Sequence, residues 1–338
     1  MATRITTLLL CCAALVGAQE PPSKPQEAKG PLPASFEVPA SAWKGVQREA
    51  STLGWAPKVG QVFGYRASTT MQLVQDYGTE DAAVDPVDMT SAQGYRLKVL
   101  EVSESHVLVE ATATEMVLTL STGGMTLTSD SRSGTLAGNP GLDAFAEMVG
   151  EPFRVKLSAE GRVQEIVDLE QLHERLKAKT VYEDLNFKEV INGTRTAQEL
   201  QAFFVEFAPG ELKSGERWAV ERSMQTGPGQ TYSGVQTYVY LGVAEHSGVK
   251  CAKLLGQFTL SPQLNANPGP NALRKVVASS EPYAIYVDLE DGVVRATEAQ
   301  ALSVEVEQDL GGNPGTVNLS SKTTVEPLGA EELGEGPR

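Results

Sequence analysis

Histidine is the first side chain to consider for chemistry, and the sequence has three: His106, His173 and His246. No two of them stand at the spacing of a metal-binding pair, and LHERLK around His173 lacks the second histidine of a zinc-protease motif. His106 and His246 fall at or near hairpin turns that follow the similar segments LEVSE and LGVAE. We expect surface or half-buried histidines and assign no metal ligand.

Motifs for a nucleophile are equally weak. Ser41 with Lys44 and Ser247 with Lys250 match the loose SxxK pattern of acyl enzymes, but no companion motif follows either pair. Cys251 lies in the strand-like run VKCAKLLGQFTL, and we expect a small buried apolar side chain there. The sequence has no GxSxG elbow, no phosphate-binding glycine loop and no GxGxxG motif. We therefore assign no catalytic or cofactor-binding residue and no cofactor.

The acidic stretch DYGTEDAAVDPVD, Asp76–Asp88, carries clustered carboxylates of the kind that calcium prefers. The regular Asp-x-Asp-x-Asp-Gly loop is missing and Pro86 interrupts the run, so a solvated loop between strands is preferred and calcium stays open. Carboxylates far apart in the chain could also form a hydrolytic pair. A hydrolase with a cryptic site is therefore kept as an alternative.

Charge excludes one class of partner. The chain has 28 Lys and Arg residues against 43 Asp and Glu, a net charge of −15. Such a surface repels the phosphates of nucleic acids and anionic lipid headgroups. We predict no nucleic-acid partner.

The N-terminus is typical of a secretory signal peptide over residues 1–18. Arg4 precedes the apolar run from Ile5 to Val16, and Ala18 ends a short stretch of small residues. The run is far shorter than the ~20 residues of a membrane span, and no later run approaches that length. We expect export to the periplasm or the outside, with no transmembrane segment in the mature chain.

Cys11 and Cys12 offer a lipid-anchored form as the alternative. Leu10, rather than a small residue, precedes Cys11. Cleavage after Ala18 is therefore preferred, and lipidation at Cys11 or Cys12 is left open.

Composition divides the rest of the chain. The segments are a Pro- and Ala-rich tether over 19–57, with a short helix around Ala42–Leu53, a globular α+β domain over 58–326 and a disordered tail over 327–338. Within the domain we expect a first half at about 58–170, central helices at about 168–210 and a second half at about 211–310.

Four blocks recur in the same order in the two halves. They are GQVFGYRASTTMQL and GERWAVERSMQ, LEVSE and LGVAE, NPGLDAFAEMVGEPF and NPGPNALRKVVASSEPY, and EPFRVKLSAEGRV and EPYAIYVDLEDGVV. The recurrence of all four predicts an internal duplication, with chance resemblance among β-hairpins as the alternative.

Period-two alternation predicts antiparallel strands. Phe153, Val155 and Leu157 alternate with polar residues before a turn at Gly161, and MVLTLSTGGMTLTSD turns at Gly123-Gly124.

Three segments have the pattern of helices. Leu142 to Val149 forms one, and LEQLHERLKAK follows a capping box at Asp168 and Gln171. A second capping box at Thr196 and Glu199 predicts a third helix through Phe207 that ends at Pro209-Gly210. The fold class is α+β: antiparallel, curved sheet from two duplicated β-rich halves, with central helices packed on one face. One sheet or two stays open, and so does the oligomeric state.

LKSGERWAVE, the Gly60 strand with its aromatic residues, and EPFRVKLSAEGRVQEI resemble an uncharacterised family of exported bacterial proteins, a domain of unknown function. The resemblance covers roughly residues 58–310. It implies an exported bacterial protein and brings no catalytic residues.

The preferred function is a non-enzymatic structural or protein-interaction domain of the cell envelope. The weak motifs favour a protein that is not an enzyme over one that is. A binding or carrier protein for an apolar ligand such as lipid is the first alternative, because a curved sheet with helices against its concave face can enclose an apolar site. The expected partner is accordingly an unknown envelope protein or an apolar ligand.

Overall fold

The computed structural model describes residues 36–76, 85–182, 185–227, 230–264, 273–310, 313–329 and 331–333. The expected signal peptide, with Cys11 and Cys12, lies outside these residues, as do residues 19–35 of the tether and residues 77–84 of the acidic stretch. Strand accounts for 56% of the chain and helix for 13%. The protein is therefore mostly an antiparallel β-sheet with a few helices.

The elements follow one another from a short 3-10 helix, Ala40–Trp43, to a long last strand. The strands are β1 Ser51–Thr52, β2 Val62–Asp76, β3 Val87–Val102, β4 His106–Thr122, β5 Met125–Asp130, β6 Pro152–Ser158, β7 Val163–Ile166, β8 Glu211–Leu212, β9 Arg217–Gly227, β10 Gln230–His246, β11 Val249–Leu264, β12 Leu273–Ser280, β13 Tyr283–Asp288, β14 Val294–Leu310 and β15 Asn313–Pro327. The helices are α1 Pro140–Glu147, α2 Leu169–Lys179, α3 Phe187–Val190 and α4 Gly193–Gln201.

Thirteen of the strands form one sheet, which answers the question of one sheet or two. Its order is β7-β6-β4-β3-β2-β15-β14-β12-β11-β10-β9, with β5 beside β4 and β13 between β11 and β14. Every strand pairing in it is antiparallel. β1 and β8 form a separate two-stranded ladder.

The predicted hairpins are present. The Gly123-Gly124 turn joins β4 to β5, with positive φ at both glycines. The hairpins of the fourth pair of similar blocks are β6–β7 and β13–β14, and each turns at a glycine with positive φ, Gly161 or Gly292. The alternation of apolar and polar residues thus predicts these strands correctly. On β6 the apolar residues are buried while Arg154 is exposed and Lys156 partly exposed, whereas β13 is mostly buried on both faces.

The segments β2 to β7 and β9 to β14 share a set of pairings in the same chain order, although β12 also pairs β14 and, among the described strands, β5 and β7 do not pair. In the first, β3 pairs β2 and β4, β4 pairs β5 and β6, and β6 pairs β7. In the second, β10 pairs β9 and β11, β11 pairs β12 and β13, and β13 pairs β14. Leu100 and Leu241, the first residues of LEVSE and LGVAE, are both skipped by the register at a bulge.

The third pair of similar blocks takes two different structures. In the first block, residues 140–147 form α1, whereas residues 273–280 of the second form β12. Asn-Pro-Gly at 267–269 lies outside the described residues. Similar sequence here does not give similar local structure.

The helices differ from the expected caps. Asp168 makes no side-chain cap for α2, because its carboxylate accepts from the Arg154 backbone N–H at 2.6 Å and guanidinium at 3.1 Å. α4 ends at Gln201 rather than near Phe207, and Asn192 accepts from the Thr194 N–H at its start. The predicted boundaries of this third helix are wrong.

Residues 36–57, which the sequence assigns to the tether, lie against the sheet. Phe36 and Ala42 cover Val239 and Leu241 on the outer face of β10, and Trp55 packs in the main core. Of the expected helix around Ala42–Leu53, the 3-10 helix Ala40–Trp43 is what forms. At the other end of the chain, Leu328 beyond β15 is also buried.

Two apolar clusters share the opposite, inner face of the sheet. The helix-side cluster combines strand residues with all four helices or their flanks and includes stacked rings of Tyr65 and Phe203, 5.3 Å apart. The strand cluster has members only on strands: Met71, Leu73, Val87, Leu120, Leu260, Val276, Ala278, Val304, Val306, Val317 and Leu319.

We predict that Gly292→Ala destabilises the fold more than Gly124→Ala. Both glycines have positive φ, 73° and 78°, which costs an alanine about 1–2 kcal/mol. A Cβ at Gly292 would also overlap the Gly54 carbonyl oxygen, whereas a Cβ at Gly124 meets nothing within 4 Å. The collision should add about 1–3 kcal/mol to the loss of unfolding free energy, measured by urea denaturation. Equal losses would show that the segment before Trp55 is not held against this turn.

Candidate functional site

The three histidines lie on separate elements. His106 begins β4 and bonds to the Ser103 hydroxyl at 2.9 Å, while the His246 ring, at the end of β10, stacks on Tyr286 at 4.5 Å. His173 is more buried than expected, at 6% exposure, and its Nε2 lies 2.8 Å from the Ile191 carbonyl oxygen. In the part of the chain that the structure describes, no group of three or more metal-ligating side chains is found.

The SxxK serines lie in short local structures. Ser41 is in the 3-10 helix, where its carbonyl accepts from the Lys44 N–H at 3.2 Å. Ser247 occupies the turn between β10 and β11 with a φ of +49°. Neither serine opens an α-helix, which is the setting that an acyl-enzyme motif needs.

Cys251 is the buried residue that the sequence predicts. It lies on β11 with no exposed surface. Burial, followed by the nearby Asp288 carboxylate, raises the pKa of the thiol to about 11. Such a thiol is a poor nucleophile at neutral pH.

The acidic stretch does not close around a cation in the residues that can be described. Its end residue Asp88 accepts from the Gln72 side chain at 3.0 Å on the neighbouring strand. Residues 77–84 lie outside the described chain, so the calcium alternative concerns residues without a described structure.

A band of partly exposed side chains separates the two apolar clusters on the inner face. We call it the middle layer, and its members share this face, lie between the clusters along their strands and are neither buried nor fully exposed: Thr69, Met89, Ser91, Gln93, Leu118, Phe258, Gln300, Leu302, Ser321 and Thr323. Six are polar and four are apolar, so the band is amphiphilic.

The strand registers place five members of the middle layer in one row. Leu118 faces Ser91, Ser91 faces Thr69, Thr69 faces Thr323 and Thr323 faces Gln300 across β4, β3, β2, β15 and β14. The Thr69 and Thr323 hydroxyls bond to each other at 2.9 Å. The row thus places four polar side chains next to one another on the inner face, each partly exposed.

A second polar group, the Glu206 triad, borders this face. The Glu206 carboxylate lies 2.8 Å from the Arg222 guanidinium and 3.4 Å from that of Arg162. Arg222 comes from β9, Arg162 from the turn between β6 and β7, and Glu206 from the extended chain after α4. These side chains are 11–18% exposed, so the triad is shielded but accessible.

Aromatic side chains hold the triad in place. The Trp218 indole N–H donates to the Glu206 carbonyl oxygen at 2.8 Å, and its ring stacks on Tyr238 at 5.1 Å. Burial raises the pKa of the Tyr238 and Tyr283 phenols. Both phenols therefore stay neutral at physiological pH and can donate hydrogen bonds.

A similar triad lies on the outer face. Glu115, 6% exposed, pairs with Arg66 at 2.9 Å and Arg132 at 3.2 Å. Asp130 and Glu332 add two more carboxylates to these arginines. The outer group therefore carries two cations and three anions, whereas the Glu206 triad carries two cations and one anion.

Residues 104–242 match a family of unknown function, DUF6263. The expected resemblance to an uncharacterised domain family is thereby confirmed over these residues. None of the curated proteins compared with the chain matches it.

Several solved structures are weakly similar. A lipovitellin structure, described for its lipid–protein interactions, is 14% identical to this chain, with a TM-score of 0.43. The match covers 80% of this chain and 25% of the lipovitellin chain, so this chain spans a quarter of that protein. An outer-membrane channel from Pseudomonas putida F1 is 10% identical over 81% of this chain and 97% of its own, with a TM-score of 0.20. The translocator domain of the autotransporter NalP from Neisseria meningitidis is 7% identical over 79% and 89%, with a TM-score of 0.17.

No helix in the described ranges is long and apolar enough to cross a lipid bilayer.

Sequence patterns missed the Glu206 triad. Its members are separated by 44 and 16 positions and come from a turn, an irregular segment and a strand. One signal was present: Arg222 continues the inward positions Trp218 and Val220 of β9, where an apolar residue is expected.

We predict that Cys251 resists thiol reagents in the folded protein. With a pKa of about 11, about one thiol in a thousand is ionised at pH 8, and the side chain has no exposed surface. In a Cys11→Ser, Cys12→Ser background, labelling should be more than a hundredfold slower for native than for urea-unfolded protein. Comparable rates would contradict the burial of this strand.

Proposed function

We propose that the protein binds an amphiphilic, lipid-like molecule on the inner face of its sheet, as a non-enzymatic binding or carrier module. The observation that carries this proposal is the middle layer, a band of partly exposed Thr, Ser, Gln and apolar side chains between two buried clusters. Binding sites for small molecules combine an apolar lining with a few polar groups in this way.

A curved sheet would give this face the concave shape that the proposal needs. The path across the sheet from β7 to β9 includes eleven strands, counting both ends. In a flat sheet the ten spacings between them would place the two edges about 48 Å apart. Arg162, at the β7 end, and Arg222, on β9, nevertheless share the Glu206 carboxylate. This contact supports a sheet whose two ends approach each other.

The strand cluster supports the same shape. Its residues are 0–7% exposed although every member lies on a strand, and the helices of the described chain contribute to the other cluster. An apolar sheet face needs a second layer to exclude water. A sheet that curls over its own inner face supplies that layer.

We also propose that the two β-rich halves arose by duplication. The matching pairings, the bulges at Leu100 and Leu241 and the turns at Gly161 and Gly292 support it. So do the turns before β2 and β9, in which Gln61 and Glu216 each donate a backbone N–H to a lysine carbonyl three residues earlier, at 2.9 and 2.8 Å. The difference between α1 and β12 then marks where the halves diverged.

Export to the cell envelope completes this proposal. The signal-peptide pattern over residues 1–18 and the Pro-rich segment after it support an exported chain. An envelope binding module needs no catalytic group, in agreement with the weak motifs of the sequence.

A structural or protein-interaction role is the second candidate, and β9 favours it. This strand ends the sheet and pairs, among the strands that the structure describes, with β10 alone. An edge strand can accept an added strand from a partner. The middle layer has no role in such an interaction, which separates the two candidates experimentally.

We predict that Ser321→Trp blocks ligand binding and Ser320→Trp does not. The two serines are neighbours on β15; Ser321 belongs to the middle layer and faces Leu302 and Met71, whereas Ser320 is exposed on the outer face. A ligand that buries about ten methylene groups would gain at most about 8 kcal/mol, or an affinity near 1 µM. The measurement is native mass spectrometry of protein purified without detergent, with titration of a fluorescent apolar probe.

The expected result is an apolar adduct and probe binding in the unchanged protein and in Ser320→Trp, with both lost in Ser321→Trp at unchanged thermal stability. Equal binding by the two variants would place the ligand elsewhere. No adduct and no probe binding by any of the three proteins would refute the proposed function.

A further inference from the structure

We propose that Arg162 and Arg222 bind the anionic headgroup, a carboxylate or a phosphate, of the amphiphile. This inference rests on the proposed function and specifies its ligand class. The chemistry is charge-assisted hydrogen bonding from two guanidinium groups, which suits planar carboxylates and phosphates.

The charge of the Glu206 triad favours a second anion as its ligand. Two guanidiniums share one carboxylate through a single oxygen, Glu206 Oε2, so the ion pairs among the described residues leave one positive charge over in a shielded place. An uncompensated charge that is largely removed from water is costly, and a second anion would remove that cost. The outer-face triad has no such excess, because Asp130 and Glu332 add to Glu115.

The hydrogen-bond donors of Arg222 also favour an anionic ligand. Arg222 Nη1 donates to Glu206, while its Nη2 is buried and makes no hydrogen bond among the described groups. The neutral phenol of Tyr238 lies close enough to interact with the same guanidinium. A headgroup that displaces Glu206 would find the two arginines and this phenol already converging.

Arg222 also lies close to the apolar strand cluster, as a headgroup site for an amphiphile requires. Gly234 faces Arg222 across the β9–β10 ladder, and in the β10–β11 register its neighbour Val235 pairs with Thr259, the residue before Leu260 of the strand cluster. Two strand spacings, about 10 Å, therefore separate the cation from the apolar cluster. Gly234 has no side chain to stand between them, and any Cβ there would meet the Phe258 ring at 2.6 Å.

The geometry thus gives an amphiphile both of its contacts. The headgroup meets the arginines at the point where the two ends of the sheet come together. The chain runs past Gly234 along Phe258 and Leu260 toward the middle layer. Substituting Gly234 would close this path.

The test compares three probes that share one chain: oleate, oleyl phosphate and the neutral oleyl alcohol. Each is titrated into delipidated full-length protein and into Arg222→Gln, Glu206→Gln and Arg132→Gln. Arg132→Gln is the matched control, because it removes the same charge from the outer-face triad. Thermal unfolding of each variant confirms that it is folded.

We expect Arg222→Gln to weaken oleate or oleyl phosphate by about ten- to a hundredfold and to leave oleyl alcohol unchanged. Glu206→Gln should strengthen the anionic probes, because it removes the competing carboxylate. If Glu206→Gln unfolds, the comparison of Arg222→Gln with Arg132→Gln decides alone. The preference between oleate and oleyl phosphate tells which headgroup fits.

Equal affinities for the three probes, unchanged in Arg222→Gln, would overturn the headgroup site and leave the proposed function standing. Loss of all three probes in Arg222→Gln, with oleyl alcohol included, would mean that the arginine supports the fold of the face and does not read a headgroup. Binding of none by the unchanged protein would overturn both proposals.

Discussion

The apolar residues on the inner face of the sheet must be kept from water, and most of the other contacts in the structure serve to cover them. At one end the helices and the aromatic rings around Tyr65 and Phe203 form the second layer. At the other end, the strand cluster is buried with strand residues alone. An aliphatic side chain left exposed costs about 1.5–3 kcal/mol, so eleven such residues cannot remain uncovered in a marginally stable protein. The strand cluster therefore needs a covering layer, and its described members all come from strands.

The contacts that could hold such a shape lie in irregular segments rather than in strands. Trp55 packs where two corresponding turns approach: the Ala56 N–H donates to the Asp291 carbonyl at 3.0 Å, and the Phe207 N–H donates to the Glu160 carbonyl at 3.0 Å. Gly161 and Gly292 admit these segments because a Cβ at either would collide with the backbone of the passing chain. The same glycines that make the hairpins turn thus also make room for passing backbone, that of Val205 beside Gly161 and that of Gly54 beside Gly292.

Local patterns predicted the local structure well. Alternation and paired glycines gave the hairpins, since both act within about ten residues. The predicted extent of the third helix is wrong because Phe203, Phe204 and Phe207 have helical spacing but are buried in the turn and irregular segment that follow α4. Asp168 failed as a cap because a distant arginine, Arg154, takes its carboxylate. The middle layer could have been found as polar residues at inward positions of β2 and β15, but only with the register known. The Glu206 triad joins three separate elements, and no spacing in the chain encodes that meeting.

The overall acidity of the chain bears on what the inner face could select. A net charge of −15 repels anions at a distance, yet the Debye length at physiological salt is only ~8 Å. A long polyanion is repelled by many surface carboxylates, and a single excess cation attracts only one of its charges. A molecule with one anionic group on a long apolar chain gains from that cation and from the apolar strand positions together. The same charge distribution that opposes nucleic-acid binding is therefore compatible with an amphiphile that has one anionic headgroup.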